Sequence, residues 1–245
     1  MERKYLERQL RRQATWLRES WLYHIAQKIL FAYDSALPTA LDVGCGPGFV
    51  MEQLKGSLDP LGVDKDPDMV EACRAKGFEA HVAMAEDLPF EDREFDVVYC
   101  SFLLLWVKDP LKVVREMRRV SRRWVLCLAE PDYGSRIDHP ESMKGLKGIL
   151  ADGIRAQGGD PEIGRKLRSI FNEGGLDCEM GVHAGVWDIQ RLGQEFDDEW
   201  RFVQDFSDGR VPDDELKAIK EAWKIGLEDG SLFQYNPIFF AFGKR

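Results

Sequence analysis

The sequence has no run of about 18 apolar residues, so no segment of it is expected to cross a bilayer as a helix. Its opening residues, Met1-Glu-Arg-Lys-Tyr, lack the apolar stretch of a secretory signal. Cysteine is sparse and irregularly placed. Cys45, Cys73, Cys100, Cys127 and Cys178 are odd in number and include no C-x-x-C pair. That argues against a metal site or a disulfide framework, and for reduced thiols in a cytoplasmic setting. No internal repeat, Ser/Gly linker or low-complexity tract divides the chain, and no pattern in it assigns an oligomeric state. Excess positive charge is also missing. The 34 basic and 43 acidic residues give a formal net charge of −9, which counts against nucleic acid as a partner, because phosphates demand a concentrated positive field. One local exception lies near the start, where Arg3, Lys4, Arg8, Arg11, Arg12 and Arg18 outnumber Glu2, Glu7 and Glu19; it reads as a solvated helix face. With 44% hydrophobic and 31% charged residues over 245 positions, the chain has enough apolar material for one globular domain with a cap.

The most informative stretch is Leu41-Asp-Val-Gly-Cys-Gly-Pro-Gly48. An apolar run ends in Asp42, then Gly44, Gly46 and Gly48 alternate before a helical pattern opens at Phe49. Glycine has no Cβ, so this turn can fold tightly and let a ligand touch backbone. The setting is the nucleotide-side crevice of a wound α/β sheet. A dinucleotide fold wants Gly-x-Gly-x-x-Gly, with the third glycine packed close beside a pyrophosphate. Counted from Gly44 and Gly46, that third position is Phe49, which is far too large.

Two further signals follow in register. Leu61-Gly-Val-Asp64 is an apolar strand ending in a carboxylate, about 20 residues beyond the turn, where nucleotide folds put the ribose-binding acid. Lys65 follows it, with a methylene stem able to cover an adenine ring. Then come Ala85-Glu86-Asp87-Leu88-Pro89-Phe90 and the strand Phe95 to Ser101.

Together these residues resemble the class I S-adenosylmethionine-dependent methyltransferases, in the small-molecule, ubiquinone/menaquinone-methyltransferase-like branch. The likeness is confined to residues 41–110, with looser agreement to 131 and in the last strand. It implies that Gly44, Cys45, Gly46 and neighbouring backbone cradle the methionine part, with Asp42 reaching its ammonium. It implies Asp64 on the ribose, and Lys65, Ala85, Glu86 and Ser101 on the rest of S-adenosylmethionine, whose product is S-adenosylhomocysteine. Met84 stands where relatives carry an acid for the adenine amine. After strand four, Ser101-Phe-Leu-Leu-Leu-Trp106 departs from the Asn/Asp-Pro-Pro-aromatic motif that base-amino methyltransferases resemble.

The expected fold is a Rossmann-like, doubly wound, seven-stranded and mostly parallel sheet with an antiparallel last strand. The seven strands are read at residues 39–43, 61–64, 79–83, 95–101, 123–130, 177–189 and 234–243. Asp66-Pro67, Asp109-Pro110 and Asp160-Pro161 read as helix starts, an Asp N-cap followed by Pro at the first position. Residues 1–33 read as an N-terminal helical lid. Residues 34–190 and 233–245 are the cofactor-binding core, and 191–232 a cap insertion of two amphipathic helices.

Methyl transfer needs an in-line acceptor and excluded water more than a catalytic triad. Possible acid–base groups gather after strand five, where Asp132, Tyr133, Arg136 and His139 follow Glu130. Each also has a plain reading: Asp132 in a turn, Arg136 paired with Asp138, His139 before a helix at Pro140. His24, His81 and His183 read as structural. Phe102, Leu105, Trp106, Trp16 and Trp21 are candidates for an apolar acceptor pocket. The acceptor is expected to be a small molecule. A protein or RNA methyltransferase, or a non-catalytic cofactor-binding partner protein, remain as alternatives.

Overall fold

Alternation along the central strands builds the two faces of the sheet. In β4 (Phe95–Ser101) and β5 (Ser121–Pro131), Val97, Tyr99, Leu126 and Leu128 enter one apolar core, while Val98, Cys100, Val125 and Cys127 enter the other. A computed structural model describes residues 3–33, 36–183 and 188–245. In chain order the other elements are α1 (Arg3–Lys28), β1 (Thr39–Val43), α2 (Phe49–Leu54), β2 (Asp59–Asp64), α3 (Pro67–Arg74) and β3 (Ala80–Val82). Around and after β4 and β5 come α4 (Pro110–Val120), β6 (Ile137–His139), α5 (Leu146–Ala156), α6 (Leu167–Glu173) and β7 (Asp177–Val182). The chain closes with α7 (Ile189–Gln194), α8 (Phe196–Ser207), α9 (Asp213–Asp229), β8 (Phe233–Tyr235) and β9 (Ile238–Lys244).

The main sheet has seven strands in the order β3-β2-β1-β4-β5-β9-β7. Its first five strands are parallel, and β9 runs antiparallel to both β5 and β7. Strand order reverses between β1 and β4, and that reversal opens a crevice at the strands' carboxyl ends. One face is covered by α1 and α2, whose Trp21, Ile25 and Leu54 pack on Ala40, Val97 and Leu126 together with Ile29 just after α1. The other is covered by α4 and α6 and extended by the cap helices, through Val113, Met117, Phe171, Trp200 and Trp223.

Several sequence expectations change in the structure. The N-terminal segment forms one helix, α1, from Arg3 to Lys28, followed by a 3-10 turn at Leu30–Ala32. The last strand divides at Asn236-Pro237: β8 leaves the main sheet and pairs antiparallel with β6, a strand the pattern did not announce. Strand-like residues 177–189 shorten to β7, and 184–187 lie outside the described residues. The cap holds three helices rather than two. It breaks at Asp208, which has a φ of 30°, and earlier at Glu195. Asp66 and Asp109 do cap α3 and α4, accepting from Asp68 N and Lys112 N. Asp160 instead accepts from Glu162 N ahead of a 3-10 turn, and α6 begins only at Leu167. Pro140 likewise precedes a 3-10 turn, with α5 starting at Leu146.

Candidate cofactor and acceptor site

The glycine turn is held on β2 by its own backbone. Gly44 N and Cys45 N both donate to Val63 O, at 2.8 and 2.9 Å. Gly44 and Gly46 have φ of 75° and 51°, a region costly for any residue with a Cβ. Their surroundings differ. A Cβ on Gly44 would stand 2.8 Å from Leu103 Cδ1, whereas one on Gly46 would meet only Leu10 Cδ1, at 3.9 Å. Gly44 is therefore needed for packing, and Gly46 faces open space.

That space is a cavity of about 650 Å³, bordered by Gly44, Cys45, Gly46, Asp64, Lys65, Ala85, Glu86 and Ser101. Eight of the nine sequence candidates for the cofactor thus share one wall. Asp42 does not border it. The side chain is 1% exposed beneath the turn beside Tyr99, its register partner on β4, and burial pushes both groups well above their usual pKa. Asp42 Oδ2 has no hydrogen-bond partner among the described residues.

Asp64 has a second task that spacing did not reveal. Its Oδ2 accepts from Gly46 N at 2.9 Å and its Oδ1 from Asp66 N at 2.9 Å, so the carboxylate braces the turn against the start of α3. Two other groups missing from the sequence reading shape the same wall. Glu130, fully buried at the end of β5, accepts from the backbone N–H of Leu103, Leu104 and Leu105 and so holds the loop after β4. Desolvation outweighs these bonds and pushes its pKa up to about 8. Arg119 on α4 donates to the carbonyls of Leu88 and Phe90, while Glu116 accepts from Leu88 N. This pair fastens the Ala85–Phe90 segment. The readable signals were an acid closing the Val125–Ala129 run and an i,i+3 Glu–Arg pair on α4.

A second cavity of about 380 Å³ adjoins the first, and Leu10, Gln13, Phe102 and Trp106 border both. Leu105, Ile154, Phe202 and Phe206 complete its apolar wall. Of the expected acceptor-pocket residues, Phe102, Leu105 and Trp106 meet here. Trp21 instead lines the first cavity and donates to Leu128 O, and Trp16 lines a third cavity and donates to Glu195 Oε1. Phe102 reaches this position with a φ of 52°, its N–H bonded to Ala129 O.

The acid–base candidates separate. Tyr133 borders the second cavity, and burial pushes its phenol up to about 12. Asp132 is 1% exposed and bonded by Arg165 through both carboxylate oxygens, at 2.6 and 2.7 Å, so it anchors the loop. Arg136 is bound by Asp138. His139 is exposed on β6, with no place on a cavity wall. His183 is structural: Nε2–H donates to Leu128 O and Nδ1 accepts from Ser20 Oγ–H.

The residues of the first wall fit a nucleoside carrying a methionine arm. Gly46 leaves room at the backbone and Asp64 closes a strand. The bordering side chains carry three carboxylates, Asp64, Asp66 and Glu86, against two ammonium groups, Lys65 and Lys108, a balance that suits a cationic sulfonium and opposes a pyrophosphate.

A doubly wound sheet with a glycine turn and a strand-end acid at its carboxyl edge defines a Rossmann-like α/β fold. Residues 41–127 match the methyltransferase domain family. An uncharacterised protein of a Streptomyces fradiae transposon is 34% identical over 151 residues, 56% of this chain and 43% of that protein. The ubiquinone biosynthesis O-methyltransferase of Methylococcus capsulatus is 37% identical over 94 residues, 34% of this chain and 38% of that enzyme. The chain therefore spans about two fifths of the length of these curated relatives. Among solved structures, Haemonchus contortus phosphoethanolamine N-methyltransferase 2, complexed with phosphomonomethylethanolamine and S-adenosylhomocysteine, aligns with a TM-score of 0.53. That alignment has 19% identity and covers 91% of this chain and 52% of the other. Over residues 41–127 the chain is thus similar to the methyltransferase domain family, and its fold is shared with solved methyltransferase structures. No helix among the described residues is long and apolar enough to cross a membrane.

Proposed function

We propose that this protein transfers a methyl group to a small-molecule acceptor seated in the second cavity. The observation that carries this reading is the continuity of the two chambers across Leu10, Gln13, Phe102 and Trp106. When bound, S-adenosylmethionine supplies a methyl group on a positive sulfur. The chain's own residues bind, orient and exclude water. Asp64 is the ribose acceptor, Lys65, Ala85 and Glu86 flank the adenosyl part, and Gly46 lets the methionine arm approach backbone. Phe102 and Trp106 form the partition at which the acceptor atom lies in line.

Tyr133 is the one titratable side chain bordering the second cavity among the described residues, and with its pKa pushed up to about 12 it stays protonated at neutral pH. No side chain there serves as a general base, so the acceptor atom must bring an available lone pair. The pH dependence of turnover then follows the acceptor's ionisation. The first half of α1 and the start of α8 form a cover over both chambers. Arg12 pairs with Glu195 and Glu199, and Arg8 with Asp198, across that seam. The second half of α1 is not part of the cover, because Leu17, Trp21 and Ile25 are buried in the core. Five unpaired, buried cysteines suit a reducing compartment, and this reading puts the protein in the cytoplasm.

Incubation with methyl-labelled cofactor and a size-fractionated extract of the source organism tests the proposal. Label should enter low-mass compounds. Label confined to protein or RNA, or none despite cofactor binding, would replace it with one of the other two readings.

A further inference from the structure

The second cavity ends in a small polar enclave of about 60 Å³, reached past Gln13, Tyr133 and Phe202. Two atoms in it are left without hydrogen-bond partners among the described residues, the donor Arg12 Nη1 and the acceptor Asn236 Oδ1. Both belong to nearly inaccessible side chains. Arg12 is 9% exposed, and its other two nitrogens face Glu195 Oε2 at 3.1 Å and Glu199 Oε1 at 2.5 Å. Asn236 is 9% exposed, next to Pro237, where β8 parts from β9. A buried group with no partner costs free energy, so a donor and an acceptor left open on residues lining one small cavity point to a ligand that answers both.

Charge narrows what that ligand carries. The enclave's two guanidinium groups are already balanced, Arg12 by Glu195 and Glu199, Arg136 by Asp138. A carboxylate entering it would face Glu199 and the Asn236 carbonyl oxygen. An ammonium would face Arg12 and Arg136. A hydroxyl meets neither objection, because its oxygen accepts from Arg12 Nη1–H while its proton goes to Asn236 Oδ1. Between this enclave and the cofactor chamber the walls are Phe102, Leu105, Ile154, Phe202 and Phe206, with no charged side chain.

We infer that, given the methyl-transfer reading above, the acceptor is an uncharged, elongated molecule with an apolar middle and a hydroxyl at the end away from the cofactor, seated between Arg12 and Asn236. This assigns substrate recognition to Asn236 and Arg12, two residues far from the cofactor motifs in sequence. Neither borders the cofactor cavity.

Three isosteric probes test it by calorimetry on the protein saturated with S-adenosylhomocysteine: p-phenylbenzyl alcohol, p-phenylbenzoate and p-phenylbenzylammonium. The alcohol should bind about tenfold tighter than either charged analogue. In Asn236→Leu its advantage should shrink to about twofold, since the acceptor is gone and the wall is apolar. In Asn236→Asp the ammonium should gain on the alcohol and the benzoate should weaken further. S-adenosylhomocysteine affinity should stay unchanged in both variants, which reports that the fold is intact. A charged probe binding as tightly as the alcohol, or an alcohol preference that survives in Asn236→Leu, overturns the inference. So does the failure of all three probes to bind while S-adenosylhomocysteine does, which would mean the enclave holds solvent only. If S-adenosylhomocysteine itself does not bind the wild-type protein, the methyl-transfer reading falls and takes this inference with it.

Discussion

Gly46 and Asp64 are tied by a single hydrogen bond, from the glycine N–H to the carboxylate, and each shapes the cofactor wall differently. Gly46→Val would strain a left-handed backbone and fill the open space above it. Asp64→Ala removes both the brace and the proposed ribose acceptor. We expect the loss of S-adenosylhomocysteine affinity in Asp64→Ala to be about 1.5–3 kcal/mol, the scale of a hydrogen bond to a charged group. Calorimetry on the wild type should find no binding of NAD, because Phe49, 4% exposed, occupies the close-packing position a pyrophosphate turn needs. Equal affinity in Asp64→Ala, with unchanged circular dichroism, would remove Asp64 from the site.

Among the elements, α4 has a task beyond packing. Its Arg119 and Glu116 hold Leu88 and Phe90 by three hydrogen bonds, and the segment they fix supplies Ala85 and Glu86 to the cofactor wall. Arg119→Met keeps the apolar stem and removes those donors. Hydrogen exchange over 85–90 should speed up, and cofactor affinity should fall by about three- to tenfold, under 1.4 kcal/mol. If exchange there is unaltered, the segment is held by its own turn and not by α4. The start of α1 is bound mainly through ion pairs, its later turns through a core. A truncation through residue 20 would therefore remove buried Ala14 and Leu17 and cost stability as well as the cover.

At the scale of the whole molecule, two buried titratable groups set opposite limits on stability. His183 joins α1 to β5, and burial lowers its pKa from 6.5 to about 4. The unfolded chain binds the proton more readily, so stability is present above pH 6.5 and is lost as pH falls toward 4. That loss amounts to about 3 kcal/mol when complete. Glu130 acts in the other sense, with a folded pKa raised from 4.5 to about 8. The unfolded chain releases its proton first, so this contribution is full below pH 4.5 and declines as pH rises through 8. Between 4.5 and 6.5 the two slopes oppose each other; above 6.5 only the Glu130 slope remains, about 1.4 kcal/mol per pH unit. Denaturant melts of wild type and Glu130→Gln across pH 6.5–8 should diverge, the wild type losing stability and the variant staying flat. Parallel curves would show that Glu130 ionises freely in the fold.

Local pattern carried the cofactor side of this protein. Apolar runs ending in Asp42 and Asp64, alternating glycines and Asp-Pro helix starts are short-range signals, because each depends on backbone preference and on side chains within one turn or strand. They were enough for the places of the parallel strands and, joined to the family resemblance, for eight residues that border the first cavity, since every βα unit positions its own loop at the same sheet edge. On the acceptor side the sequence pointed to Phe102, Leu105, Trp106 and Tyr133, and tertiary structure decided the rest of the wall. Tyr133, Phe202 and Asn236 share a cavity only because β8 turns away to pair with β6 and α8 lies across α1, and those pairings join residues 98 or more positions apart in the cases of Ile137 with Tyr235 and Arg8 with Asp198. Asp42 shows the same limit in reverse: its place in the motif was plain, yet burial beneath Gly44 withdrew it from the wall. Whether a carboxylate meets ligand or core depends on which neighbours exclude water from it, and those neighbours arrive from distant parts of the chain.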